Sequence, residues 1–308
     1  MIFPIPTASD GVRTHADWLE AEALASTDGS ISFEALVSVF RRGGGVDAVA
    51  DDNGNPFDRG SETSQRVAED AFAEMENRAY ACNGRYPFRI SQGLISVNAH
   101  PERSIYTLLL LLSAVAPTTG HNGTASLFER ICTDVAEAYF GGFDEGVRAF
   151  RFGSPRKKPL VTLQQAINHL CTELGEGGGV RDEANARHKG DAGLDVVAWK
   201  HFPDKKPGKL IAFGQCAGGS TAWDLKLSEL DGAKFAKKWL RDAFVVDPLR
   251  MFFLPRWVDQ EDWTDTGVDG GIVFDRGRIA SFLSGRDVSL LGDCKRTTTS
   301  LLKRLRNS

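Results

Sequence analysis

Residues 190–219 read GDAGLDVVAWKHFPDKKPGKLIAFGQCAGG, and this stretch decides the fold. LDVVAW and KLIAFGQC are short apolar runs that read as buried strands. Between them KHFPDKKPGK carries the Pro, Asp and Gly of a turn. The spacing predicts antiparallel strands over Leu194–Trp199 and Leu210–Cys216, with a basic tip at Lys200, Lys205, Lys206 and Lys209. Asp195 opens one strand after a glycine-rich turn, and Gln215 closes the other. Such a hairpin places the two side chains at the same end of adjacent strands. A carboxylate beside a carbonyl oxygen suits a hard cation such as Mg²⁺ or Mn²⁺. A basic rim beside that cation suits a phosphate backbone. This is the layout of metal-assisted phosphodiester hydrolysis.

Outward from the hairpin, the chain alternates helices and strands. Upstream, a helix runs from Ser126 to Phe140 and stops at Gly141-Gly142. A basic loop, RFGSPRKKP, follows with Arg151, Arg156, Lys157 and Lys158 and no acid. A helix over Leu163–Leu174 comes next, opened by a capping box of Thr162 and Gln165 and ended by Gly175. Downstream, LSELDGAKFAKKWL predicts a helix bearing Lys234, Lys237 and Lys238, with Arg241 directly after it. PLRMFFL then predicts a strand, and GGIVFDRGRIASFL a last strand leading into a helix.

These elements resemble the Mrr-like branch of the PD-(D/E)xK nucleases, which have the restriction-endonuclease fold. The resemblance rests on Phe128-Glu129 on a helix, Ala192-Gly193-Leu194-Asp195 on a strand, and Gln215-Cys216-Ala217 at the end of the next. It covers about residues 121–290 and implies a core of order α-β-β-β-α-β. It also implies that Glu129, Asp195 and Gln215 hold the metal. The family's lysine is missing, because Ala217 stands at its position. Lys226, in the following segment, is the candidate to replace it. Ser126 and Glu129 also have capping-box spacing, so Glu129 has a second reading as a helix-start residue.

The first 120 residues read differently. They carry nine Lys/Arg against sixteen Asp/Glu, whereas residues 121–308 carry 28 against 25. Three helices are expected, over His15–Ser26, from an N-cap at Ser32, and over Glu62–Ala81. A hairpin follows, with YPFRI and LISVN flanking Ser91-Gln92-Gly93, and then an apolar helix over Pro101–Val115. That order is winged-helix-like, but the third helix carries Glu62, Glu69, Asp70, Glu74 and Glu76. Its charge repels phosphate, so a protein partner is expected for this domain. DDNGNPFD, within a Gly- and Asp-rich stretch, lacks the glycine and glutamate of a calcium loop and reads as a plain loop.

The expected architecture is α/β (α+β): a mostly helical domain over 1–120 and a nuclease-like domain over 121–308. Five widely spaced cysteines without a CxxC pair argue against a disulfide framework or zinc ribbon. The start, MIFPIPTASD, predicts no signal peptide, and no apolar run is long enough for a membrane span. A reducing cytoplasm is the expected setting. Two functions follow. One is a Mg²⁺-dependent DNA endonuclease of restriction or anti-phage defence, with basic segments 151–158 and 200–209 and Lys237 and Lys238 on the DNA backbone. The other is a degenerate nuclease fold that binds nucleic acid or a protein. Ala217 favours the second. Retention of all three metal-type residues favours the first, because decay should not spare them selectively. Homo-oligomerisation is left open.

Overall fold

A computed structural model describes residues 3–7, 9–42, 49–50, 56–57, 59–181, 192–219 and 223–307. The chain forms two compact units, one of residues 1–114 with 294–308 and one of residues 115–293. The final segment therefore belongs with the first unit rather than with the nuclease-like domain, a correction to the expected 121–308 span.

In the first unit, α1 (Val12–Ala25) leads into β1 (Ser30–Ser32) and α2 (Phe33–Arg42). Ser32 caps α2 as expected, its Oγ accepting from the Ala35 amide. Two short strands, β2 (Val49–Ala50) and β3 (Pro56–Phe57), pair antiparallel before α3 (Arg59–Ala81). The rest of the DDNGNPFD stretch lies outside the described residues. The expected hairpin forms from β4 (Phe88–Ser91) and β5 (Leu94–Val97), and β1 adds a third strand in the order β1-β5-β4. Then α4 (Ile105–Ser113) is buried along its whole length. At the centre of this unit Arg78 is fully buried among Asp17, Glu20 and Glu74.

The second unit opens with α5 (Thr124–Tyr139) and β6 (Val147–Arg151). Next come α6 (Leu163–Leu174), β7 (Val196–Lys200) and β8 (Ile211–Cys216). A 3₁₀ turn over Asp224–Lys226 precedes α7 (Gly232–Trp239), β9 (Leu249–Phe253) and α8 (Trp263–Gly270). After β10 (Ile272–Phe274) come α9 (Arg276–Phe282) and α10 (Val288–Arg306), whose last part counts with the first unit. The sheet order is β10-β9-β8-β7-β6. The pairs β6–β7 and β7–β8 are antiparallel, and the pairs β8–β9 and β9–β10 are parallel. The predicted hairpin is present, with Val196 opposite Gly214 and Trp199 opposite Ile211.

Alternation along the strands sends Val197, Trp199 and Phe213 to one face, where they meet Leu163, Leu170 and Phe235 of α6 and α7. On the other face α5 packs against β6 and β7. The molecule is thus mixed α/β. No helix among the described residues is long and apolar enough to cross a membrane.

Candidate active site

The site lies where β7 begins and β8 ends. Asp195 directly precedes β7, and its amide donates to the Gly214 carbonyl (2.9 Å). Its carboxylate Oδ2 accepts from the Cys216 amide (2.8 Å), so the two strands fix the side chain between them. Its carbonyl accepts from the amides of Phe152 (2.7 Å) and Gly153 (2.9 Å), just beyond β6.

Glu129 reaches the same place from α5. The helix begins at Thr124 with Gly123 as N-cap, so Glu129 lies beyond the first turn and does not cap it. The capping-box reading of Ser126 and Glu129 is therefore corrected. Ser126 Oγ instead accepts from Arg151 Nη1 (3.0 Å), which also donates to Glu129 Oε2 (2.6 Å). Gly153 makes room for this carboxylate, since a Cβ there would sit 2.4 Å from Oε2.

Glu129 and Asp195 line one cavity of about 360 Å³, together with Cys216, Ala217, Trp223 and Lys226. Lys226 is half-buried on the 3₁₀ turn ahead of α7. The next helix starts only at Gly232, with the Asp231 side chain as its cap, so Lys226 lies ahead of it. Ala217 is 1% exposed and packs with Leu227, Phe252 and Leu254. Position 217 is therefore apolar core at the cavity edge.

Gln215 does not line the cavity. Alternation along β8 turns it to the face opposite Cys216. Its Nε2 donates to Glu229 Oε2 (2.7 Å), while Oε1 is buried without a hydrogen-bond partner. The structure thus brings Glu129, Asp195 and Lys226 together and leaves Gln215 beside them. Among the described residues no group of three His, Cys, Asp or Glu side chains is placed to hold a metal ion. Burial pushes the Cys216 thiol well up, and the nearby Cys132 thiol, Asp195 and Glu129 push it the same way. That burial disfavours the thiolate a nucleophile at Cys216 would need.

The basic residues fall into two groups. Arg151 is tied to Glu129, Ser126 and the Pro155 carbonyl. Arg156 is 6% exposed and donates to the carbonyls of Leu160 (3.1 Å) and Phe152 (2.7 Å). Lys209 is 2% exposed, with Nζ on the Leu174 carbonyl (2.7 Å) and Glu176 Oε1 (2.9 Å). Arg151, Arg156 and Lys209 thus hold the fold, which corrects their expected place on a DNA backbone. Lys157, Lys158, Lys205, Lys206, Lys237 and Lys238 are exposed.

The sequence reading missed β6. VRAFR carries two arginines in five residues, and an edge strand tolerates such side chains on its open face. It also missed the Arg151–Glu129 pair, for which a charged residue in an apolar alternation was the available signal.

No protein-family model, curated protein or solved structure matches the chain.

Proposed function

We propose that the second unit is a metal-dependent deoxyribonuclease with a restriction-endonuclease-like core. The observation that carries this reading is that Glu129, Asp195 and Lys226, distant in sequence, line one cavity at the end of the β7–β8 hairpin. The order α5-β6-β7-β8-α7-β9, with α6 inserted, supports the same reading. So does the antiparallel-then-parallel sheet. A role in restriction or anti-phage defence follows from the resemblance to the Mrr-like nucleases.

Glu129 and Asp195 would hold Mg²⁺ or Mn²⁺, and Gln215, turned to the other face of β8 and bonded to Glu229, would take no part. The fit rests on the two carboxylates, which come from distant parts of the chain and line one cavity. The bound ion would supply Lewis-acid activation of the phosphate. The protein's own part is positional. Arg151 holds Glu129, the Cys216 amide holds Asp195, and Lys226 brings a positive charge to offset charge developing on the phosphate.

A second reading, a degenerate module that binds nucleic acid or a partner protein, has two observations in its favour. Ala217 is packed in apolar surroundings, and Arg151 already neutralises Glu129. Plasmid cleavage with Mg²⁺ and with Mn²⁺ separates the readings. Wild type should cut and Asp195→Ala should not. At equal DNA occupancy Lys226→Ala should lose on the order of 10²–10³ in rate. An unaffected Lys226→Ala would refute its role, and an inert wild type in both metals would leave the binding module.

A further inference from the structure

A second cavity, of about 460 Å³, lies on the other side of Arg151. Five cationic side chains line it, Arg130, Arg151, Arg156, Lys157 and Lys158, against one carboxylate, Asp293. Asp293 neutralises Arg130 through a 2.5 Å pair, and Glu129 holds Arg151 from outside the lining. Lys157 and Lys158 are exposed and have no ion-pair partner among the described residues. A positive excess is therefore left in a partly enclosed space, where charge is screened less than on an open surface. Arg151 is committed to Glu129, Ser126 and the Pro155 carbonyl, so the two lysines are the cations left to meet a ligand.

The remaining lining is mixed: Pro159 and Leu160 are apolar, His121, Asn122, Ser126 and Ser289 carry hydrogen-bonding groups, and the Phe150 ring is packed against Phe152 and His169. Cations at one side and a mixed wall at the other match a ligand with a dianionic phosphate and a ring that has both a flat face and polar edges. Cavities for single small ligands run from ~300 to 1,000 Å³, so this one suits a monomer and not a duplex. We propose that this cavity binds a nucleoside monophosphate, with its phosphate on Lys157 and Lys158 and its base against the mixed wall of Pro159, Leu160, His121 and Asn122. The proposal stands whether or not the second unit cleaves DNA.

Calorimetry on the full chain without divalent metal tests it, with adenosine 5′-monophosphate as the probe. Saturable binding is expected, and the Lys157→Ala/Lys158→Ala double variant should weaken it about tenfold or more, given two lost charge-assisted contacts. Adenosine alone should bind far more weakly, and so should inorganic phosphate. Equal affinity for adenosine would overturn the phosphate contact, and equal affinity for inorganic phosphate would overturn the nucleotide assignment. A short single-stranded oligonucleotide lacking a 5′-phosphate supplies the last arm. If it binds through the two lysines while the mononucleotide does not, the cavity serves a polymer backbone and the proposal fails. Both substituted lysines are exposed, and a circular dichroism spectrum matching wild type shows that the double variant is folded.

Discussion

Glu129 and Arg151 form a 2.6 Å ion pair in which neither side chain is more than 17% exposed. The pair joins α5 to the end of the edge strand β6 and sets one residue on each of two neighbouring cavities. Two oppositely charged groups out of water satisfy each other, and removal of one strands its partner. The same carboxylate cannot be fully neutralised by an arginine and also bind a divalent cation at full strength.

Arg151→Ala should therefore destabilise the second unit, by about 3–5 kcal/mol on the scale of broken buried pairs. Urea unfolding would give that figure. If Glu129 is a metal ligand, Mn²⁺ should raise the melting temperature of Arg151→Ala more than that of wild type. An equal rise in both proteins would remove Glu129 from the metal site.

The lysines of the β7–β8 turn should separate sharply. Lys209→Ala leaves Glu176 buried with its charge uncompensated, at a cost of about 3–5 kcal/mol. Lys205→Ala and Lys206→Ala remove exposed side chains, and each should change stability by less than about 0.5 kcal/mol. Denaturant midpoints of the three single variants check the order.

Tyr86 should give the first unit an alkaline limit. Its hydroxyl donates to Glu20 Oε1 (2.6 Å), and burial, followed by the Glu20 charge, holds its pKa well above 10.0. The folded form thus keeps the proton more tightly than the unfolded chain does. The stabilisation is complete below pH 10.0 and is lost as pH rises from there toward the folded value. Tyr86→Phe should flatten that decline in unfolding measurements between neutral pH and pH 11, and an unchanged decline would assign it to other groups.

The hairpin was legible because two apolar runs around a polar turn have few other ways to be buried. Asp195 and Glu129 were legible as neighbours only through the family resemblance, since nothing local links a helix residue to a strand far downstream. Lys226 was singled out by closeness in chain, and it lines the cavity with Glu129 and Asp195 from a 3₁₀ turn. Arg151, Arg156 and Lys209 were misplaced for one reason. Charge and a turn-rich setting suggest solvent, yet each of these stems reaches a carbonyl or carboxylate that only the folded chain brings near. The strand β6 was hidden by its two arginines, whose edge position becomes visible only once the sheet order is known.

The division of the chain into units also sets an order of synthesis. Residues 294–308 belong to the unit that residues 1–114 begin, and there Leu301, Leu302 and Leu305 are buried and Arg306 donates to the Leu24 carbonyl (3.2 Å). On the ribosome the first unit made is thus the last one completed. Its amino-terminal part must wait, with an apolar surface uncovered, while the whole of the second unit is translated.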